Sequence, residues 1–177
     1  HCRYGALICC EGNRILSFSP ELFLSKTGIN ILTKPMKGTL SAREYSSKDL
    51  KNDKKNRAEN VMIVDLLRND LSRISEVGSV KTPQLFQVEN VGDILQMTSS
   101  VTSEIAPDVT ITDLLRATFP CGSITGAPKK STMGIISELE PSCRGIYCGS
   151  LGWFDAVTSG KKGLADFTLN VAIRTLE

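Results

Sequence analysis

The stretch Phe119-Pro120-Cys121-Gly122-Ser123-Ile124-Thr125-Gly126-Ala127-Pro128-Lys129 combines residue types that could bind a small anion. Its glycines let the backbone approach a ligand closely, Ser123 and Thr125 supply hydroxyl groups, and a helix beginning near Pro128 would direct unpaired N–H groups to the same place. An ordinary glycine-rich turn capped by Thr125 explains the pattern equally well. The stretch lacks the Gly-Lys-Ser/Thr end of a nucleotide-binding phosphate loop.

A carboxylic acid and a lysine form the second candidate group. A hairpin centred on Thr27-Gly28 would place Glu21 opposite Lys34, with Lys37 three residues farther along, so Glu21 and Lys37 are predicted to lie near one end of a sheet. A lysine that loses its proton can act as a nucleophile, and a shielded carboxylic acid can protonate a leaving hydroxyl. A surface ion pair is the more common role of such residues.

Two further positions carry side chains suited to ligands. Asn56 and Glu59 are three residues apart on a predicted helix, so they share a face that could present oxygen atoms to Mg²⁺. Lone helical acids are more often simply solvated. Near the end of the chain, Arg174 alternates with Ile173 and Thr175 on a predicted strand, where it could clamp a carboxylate or serve as a plain edge charge.

Composition limits the classes of protein to consider. The 177 residues, with 41% hydrophobic and 23% charged side chains, predict one compact domain, and the net charge of +2 gives no support to a nucleic-acid partner. No apolar run is long enough to span a membrane, and the start resembles no signal peptide. The first residue, His1, is not Met, which predicts a fragment of a longer chain.

The cysteines do not suggest a metal site. The six of them, Cys2, Cys9, Cys10, Cys121, Cys143 and Cys148, form no C-x-x-C pair, and the single histidine is terminal, which argues against zinc. We therefore predict reduced and mostly buried cysteines in a cytoplasmic protein. Cys148 lies in a run that resembles a strand.

The hydrophobic pattern predicts many short strands. They are expected over residues 4–10, 14–19, 22–25, 29–33, 79–81, 85–88 and 96–102, and in the runs 146–154 and 164–175 on either side of a loop that contains Thr158–Gly163. Pro35 is expected to stop the pairing of the second hairpin.

Three helices are predicted between these strands. The first runs from Asp49 to about Leu71, with an inner stripe at Ala58, Met62 and Leu66. The second begins at the capping sequence Thr110-Ile111-Thr112-Asp113, and the third begins near Pro128 and ends before Pro141. Because hairpins and helices do not alternate regularly, we predict an α+β fold with antiparallel sheets covered by helices.

Taken together, several segments resemble the chorismate-utilising enzymes, in that family's order. They are Ser19-Pro20-Glu21-Leu22-Phe23, Lys34-Pro35-Met36-Lys37-Gly38-Thr39, Arg57-Ala58-Glu59-Asn60, Met62 through Asp70, Gly122 through Lys129, Glu138-Leu139-Glu140-Pro141, Tyr147-Cys148-Gly149 and Asn170 through Thr175. The resemblance implies that residues 1–177 are a partial chorismate-binding catalytic domain.

The resemblance also implies a reaction. Lys37 matches the branch that aminates chorismate at C4, whereas the anthranilate-forming branch has Ala there. Lys37 would add to C2 while Glu21 protonates the departing C4 hydroxyl, and ammonia from a glutamine amidotransferase partner would then enter at C4. Glu59 would bind Mg²⁺, and the substrate pocket would be lined by Thr39, Ser123, Thr125, Tyr147 and Arg174.

Departures from the family pattern define the alternatives. Gln96 stands where many relatives have a His, and Asn56 stands where they usually have a second acid. The family also continues at both ends, with further metal ligands after the Arg174 strand, so the 177 residues alone are expected to have little or no activity. The alternatives are an anthranilate-forming enzyme and a non-catalytic remnant of the same fold.

Overall fold

The computed structural model describes residues 3–156 and 163–177, and it shows an α+β fold in which every strand pair of the described residues is antiparallel. The fold class predicted from the sequence is therefore confirmed. The strands are β1 (Tyr4–Cys10), β2 (Asn13–Ser19), β3 (Leu22–Thr27), β4 (Asn30–Lys34), β5 (Met36–Ser41), β6 (Lys81–Val91), β7 (Ile94–Glu104), β8 (Gly152–Phe154), β9 (Phe167–Asn170) and β10 (Thr175–Leu176). They form a small sheet, in the order β1-β2-β10, and a larger sheet built around β7. The predicted loop at Thr158–Lys162 and Cys2 lie outside the described residues.

The centre of the larger sheet is β7. On one edge it pairs with β6, and on the other it pairs first with β4 and then with β5. Pairing of β4 with β3 ends at Lys34, as predicted, but the chain remains bound to β7 because the Pro35 carbonyl accepts the Ser99 N–H at 3.2 Å. Because proline has no N–H, Pro35 contributes only its carbonyl to the pairing with β7.

Two irregularities fix the position of the candidate acid and lysine. The β3–β4 turn is Gly28-Ile29, and a register shift between Leu22 and Ser25 places Leu22, not Glu21, opposite Lys34. The predicted pairing was therefore wrong by one residue. In β5, Lys37 and Gly38 together oppose Met97, which is a β-bulge that bends the strand at the lysine.

Five helices cover the sheets in the described ranges. They are α1 (Ser47–Asn52), α2 (Lys54–Ser72), α3 (Ile111–Thr118), α4 (Gly122–Thr125) and α5 (Lys129–Leu139). The single helix predicted from Asp49 is broken at Asp53, whose carboxylate accepts the Asn56 N–H at 2.7 Å and caps α2. The predicted start of α3 is confirmed by the reciprocal capping box between Thr110 and Asp113.

The main core lies where α2 and α3 pack on the larger sheet. It contains the buried residues Phe23, Leu24, Ile31, Val101 and Phe167 of the strands with Ile63, Val64, Leu67, Leu71 and Leu114 of the helices. The inner face of α2 is therefore offset from the predicted stripe: Ala58 and Met62 are exposed and Leu66 is only half-buried.

Several other predictions were wrong in detail. Residues 85–88 belong to the single long strand β6, and residues 146–151 form turns rather than a strand. Arg174 lies outside any strand, at a φ of 52°. The cysteines are free but not mostly buried, since Cys9, Cys10 and Cys143 are exposed while Cys121 and Cys148 are buried. None of the described helices has the length and apolar character needed to cross a membrane.

Candidate active site

Glu21 is a buried carboxylic acid at the start of β3. Its N–H bonds to the Ser19 hydroxyl oxygen at 3.2 Å, which holds the turn after Pro20. The residue is 5% exposed, and its Oε1 has no hydrogen-bond partner among the described residues. Burial raises the pKa of the Glu21 carboxyl, and the Ser123 hydroxyl, the charge of Lys37 and the Met36 N–H only partly oppose this rise. A carboxyl in this setting is suited to hold a proton and donate it.

Lys37 extends from the β-bulge toward α4. Its half-buried side chain donates from Nζ to the Ser123 carbonyl oxygen at 2.8 Å. The neighbouring Gly38 has a φ of 96°, and a Cβ there would lie 3.0 Å from the Asn56 side chain. Glycine is required at this position because both the backbone angle and the close packing of α2 exclude a side chain.

A short helical turn joins the acid to the lysine. The sequence predicts an anion-binding stretch or an ordinary glycine-rich turn here, and in the structure residues Gly122–Thr125 form α4, with both Ser123 and Thr125 buried. The Ser123 hydroxyl interacts with Glu21, and its carbonyl binds Lys37. The Thr125 hydroxyl bonds within the turn, to the Cys121 carbonyl at 3.4 Å. The Thr125 hydroxyl donates in this contact, and neither α4 nor α5 has a side-chain cap, so Thr125 does not cap a helix here and the anion site remains a prediction.

The buried thiol of Cys121 also belongs to this cluster, and sequence reasoning gave it no role. Its Sγ lies 3.2 Å from the Ser123 Oγ, and the residue is 3% exposed. Burial, and then the charge of Glu21, raise the pKa of the Cys121 thiol to about 11. The group is therefore a neutral thiol at physiological pH. The signal that the sequence offered is that Cys121 lies two residues before Ser123.

A buried ion pair holds the turn against α2. Lys129 Nζ lies 2.6 Å from Asp70 Oδ2 and donates to the Thr118 carbonyl at 2.7 Å. Burial raises the pKa of Asp70, and the hydrogen bond and charge of Lys129 oppose the rise. Both residues lie in segments that carry the family resemblance, yet neither was assigned a role. Lys129 therefore contacts both α2 and Thr118, so the segment Thr118–Lys129, which contains α4, is held at both ends.

A cavity of about 550 Å³ lies beside Pro20 and Met36, the neighbours of the acid and the lysine. Its wall includes the buried Gln96, which is paired across the strands with the exposed Thr39. The full lining is Arg3, Pro20, Met36, Glu89, Asn90, Val91, Gly92, Gln96 and Thr98. Thr39 therefore lies near the cavity wall, one strand position from the bulge.

The remaining predicted pocket residues have separate contacts. Tyr147 is 56% exposed, and the Arg144 guanidinium lies 5.7 Å from its ring centroid. Arg174 is exposed and in the left-handed region, so the predicted alternation on a strand was wrong. The Phe18 N–H donates to the Arg174 carbonyl oxygen at 3.0 Å. Their roles as substrate ligands remain predictions.

The residues present do not complete a metal site. Within residues 3–156 and 163–177 no group of three or more His, Cys, Asp or Glu side chains could hold an ion. The Glu59 side chain is 45% exposed and lies 3.9 Å from Lys55, and Asn56 contributes one amide oxygen on the same face. Mg²⁺ requires near-octahedral oxygen coordination, so these two donors are too few by themselves.

The fold is antiparallel α+β, and one helical turn joins a buried acid to a lysine. Comparison with known proteins identifies the class to which these features belong. The chain belongs to the chorismate binding enzyme family, whose sequence profile matches residues 2–177. The family predicted from the sequence is confirmed.

Two kinds of relatives are similar at nearly the same level. Aminodeoxychorismate synthase component 1 of Escherichia coli K12 is 46% identical over 156 residues, which cover 85% of this chain and 34% of the relative. Anthranilate synthase component 1 3 of Haloarcula marismortui is 42% identical over 180 residues, with 98% and 34% coverage. The crystal structure of anthranilate synthase component I from Streptococcus pneumoniae TIGR4 superposes with a TM-score of 0.85 at 36% identity, covering 98% of this chain and 38% of that one. The chain thus spans about a third of the length of these relatives.

Proposed function

We propose that the protein aminates chorismate at C4 to give 4-amino-4-deoxychorismate, with Lys37 as a covalent nucleophile. The observation that carries this proposal is the pairing of Lys37 with the buried acid Glu21 through Ser123. An amine and a buried carboxyl whose pKa is raised, both in contact with one short helical turn, are the two groups that such a displacement needs. The 46% identity to aminodeoxychorismate synthase component 1 supports the same assignment.

The proposed reaction proceeds in two displacements. Lys37 Nζ, as the free amine, forms a bond to C2 of chorismate, the ring double bonds shift, and the C4–oxygen bond breaks. Glu21 gives its proton to the departing hydroxyl, which leaves as water. Ammonia then forms a bond to C4, the double bonds shift back, and the C2–nitrogen bond to Lys37 breaks. The ammonium formed at C4 returns a proton to Glu21, so the sum converts chorismate and ammonia to 4-amino-4-deoxychorismate and water, with the enolpyruvyl group retained.

The ammonia source and the metal are part of the same proposal. The relatives are named as component 1 of their synthases, which supports a second component, and we propose a glutamine amidotransferase subunit in that role. Glu59 is the proposed protein ligand of Mg²⁺. No step above depends on the metal, because the residues described here do not complete its site.

Anthranilate formation is the second candidate function. It is favoured by the 42% identity to the Haloarcula marismortui anthranilate synthase component and by the TM-score of 0.85 with the streptococcal one. Lys37 supports amination at C4 over this alternative, because direct amination at C2 does not use a covalent amine at position 37. A non-catalytic member of the same fold is the third outcome to test.

Product identification tests the proposal. The full-length gene product is incubated with chorismate, ammonium and Mg²⁺, and the products are separated by liquid chromatography and identified by mass spectrometry. We expect 4-amino-4-deoxychorismate without release of pyruvate. Anthranilate together with pyruvate would overturn the proposal in favour of the second function, and no turnover would support a non-catalytic protein.

The covalent role of Lys37 is tested by Lys37→Ala in the same gene product. We expect 4-amino-4-deoxychorismate formation to disappear, because the first displacement loses its nucleophile. Lys34→Ala is the matched control, since Lys34 is a partly buried lysine on the adjacent strand that pairs with Glu89 at 3.9 Å. Unchanged product formation by Lys37→Ala would exclude covalent catalysis. A stable adduct seen by mass spectrometry in wild type and absent in the variant would support it.

A further inference from the structure

Helix α2 carries a buried amide that bonds to the central strand of the larger sheet. Asn60 has no exposed surface, and its Oδ1 accepts a hydrogen bond from the Ser99 hydroxyl at 2.5 Å. The Phe86 N–H donates to the same Ser99 Oγ at 3.1 Å. A serine hydroxyl has one proton to donate, so the Ser99 proton is left for Asn60. Donor and acceptor are therefore both defined in this link between α2 and β7.

The bulge that carries Lys37 is held on both sides against this part of the fold. On one side, the Ser99 N–H donates to the carbonyl oxygen of Pro35, two residues before Lys37, at 3.2 Å. On the other side, a Cβ on Gly38 would lie 3.0 Å from the side chain of Asn56, which is one helical turn from the buried amide of α2. The same face of α2 therefore supports both flanks of the bulge.

The turn that accepts the hydrogen bond from Lys37 is attached to α2 as well. A Cβ on Gly122 would lie 2.5 Å from Leu66 Cδ2, so α4 packs directly on the helix, and the buried ion pair described above adds a second attachment. The Lys37 Nζ spans the gap between bulge and turn with its 2.8 Å bond to the Ser123 carbonyl oxygen. Helix α2 therefore sets the distance that the lysine must span, and a shift at either attachment changes it.

We propose that Asn60 and Ser99 are positioning residues, whose hydrogen bond fixes the bulge on α2 and thereby sets where the Lys37 amine lies. The proposal deepens the function given above and rests on it for its kinetic consequence. Neither side chain touches the reacting atoms, because both residues are buried. The amide is also costly to bury, since its Nδ2 has no hydrogen-bond partner among the described residues. Orientation of the bulge, rather than stability, accounts for an amide at this position.

Three substitutions in the full-length gene product separate positioning from stability. Ser99→Ala removes the hydroxyl, and Ser99→Thr keeps it. Ser103→Ala is the matched control, since Ser103 is a buried serine four residues farther along β7 whose hydroxyl bonds to Ser75, beyond the end of α2, at 2.7 Å. We expect Ser99→Ala to lower kcat about ten- to a hundredfold with little change in KM, because a misplaced reacting group costs up to about a hundredfold. Ser99→Thr and Ser103→Ala should stay close to wild type.

A purely structural role of the Asn60–Ser99 bond predicts a different result. In that case the two alanine variants, which each lose one buried hydroxyl, would lose activity equally. Equal losses of kcat, an unchanged kcat in Ser99→Ala, or a folded Ser99→Thr as slow as Ser99→Ala would overturn the proposal. Thermal unfolding of each variant shows whether it folds. If Ser99→Ala does not fold, Asn60→Ala carries the same comparison, because it leaves the bond from the Phe86 N–H to the Ser99 Oγ in place.

Chemical labelling tests the position of Lys37 without substrate. The full-length proteins are acetylated briefly with an N-hydroxysuccinimide ester, and mass spectrometry gives the ratio of labelling at Lys37 to labelling at Lys34. We expect Ser99→Ala to raise this ratio about three- to tenfold, the range of one hydrogen bond, because the half-buried lysine loses its anchor. The ratio in Ser103→Ala should equal that of wild type. An unchanged ratio in Ser99→Ala would overturn the proposal. Absence of 4-amino-4-deoxychorismate in wild type would refute the proposed function, while the labelling ratio would still decide the role of the Asn60–Ser99 bond.

Discussion

Replacing Glu21 with Gln should separate catalysis from stability, because the same burial that suits this residue to acid catalysis makes its charge costly. Gln keeps the size of the side chain and removes the transferable proton. We expect turnover to fall at least about a hundredfold, the lower end of what a general acid contributes. Because the proposed reaction needs the protonated acid, wild-type kcat/KM should also fall as pH rises through the raised pKa of Glu21.

The effect of Glu21→Gln on stability should be opposite to its effect on turnover: relative to wild type, the variant should become more stable as pH rises. A carboxyl whose pKa is higher in the folded than in the unfolded state binds its proton more tightly when folded, so its contribution is fully present below the unfolded pKa and is lost as pH rises through the folded one. For one group the slope cannot exceed about 1.4 kcal/mol per pH unit. The free energy of unfolding of Glu21→Gln, minus that of wild type, should therefore increase with pH across this window and then level off.

Urea unfolding between pH 4 and pH 8 measures this difference directly, and chorismate turnover measures the catalytic loss. Glu44→Gln is the control, since Glu44 is exposed, and its curve should parallel that of wild type. A Glu21→Gln curve that also parallels wild type would refute the argument from burial. Turnover within a few fold of wild type would refute the assignment of Glu21 as the acid.

Substitutions in the segment Thr118–Lys129, which contains α4, test the contacts that hold this segment against α2. Lys129→Met should lower the free energy of unfolding by about 3–5 kcal/mol, because it leaves the buried Asp70 carboxylate without its partner; a loss below about 1 kcal/mol in urea unfolding would contradict this. Gly122→Ala should cost about 1–3 kcal/mol, since the new Cβ would lie 2.5 Å from Leu66 Cδ2. Gly134→Ala, in the open middle of α5, should instead add about 0.5–1 kcal/mol by the same measurement, and equal effects of the two glycine substitutions would contradict the packing argument.

Local patterns predicted the elements that depend on local chemistry. The β1–β2 hairpin follows from alternating residues around Glu11-Gly12, which both have positive φ. The start of α3 follows from Thr110 and Asp113, whose side chains and N–H groups bond reciprocally within four residues. Such features need no information from distant parts of the chain.

The sequence does not predict features that depend on one extra residue in a strand or on one residue that ends a helix and begins the next. Asp53 lies in a run of polar and charged residues with no Gly or Pro to mark a helix end, so the break between α1 and α2 at this cap was not evident. The bulge at Lys37-Gly38 depends on the spacing of β7 opposite it. Glu21 and Lys37 were expected near each other and do interact, but the group that connects them is Ser123, which is 86 residues from Lys37 in sequence. The hydrogen bond through Ser123 could not be inferred from hairpin register alone.

The anchor of Lys37 has an evolutionary consequence. The amine binds a main-chain carbonyl, and no substitution at position 123 other than one that moves the backbone can remove that acceptor. Shortening the side chain at position 37 would leave the acceptor in place beside the acid and vacate the space of an amine. A water or ammonia molecule could then occupy the position of Nζ. We therefore expect the backbone acceptor to keep this position available, so that one substitution would exchange Lys37, the proposed nucleophile, for a small molecule.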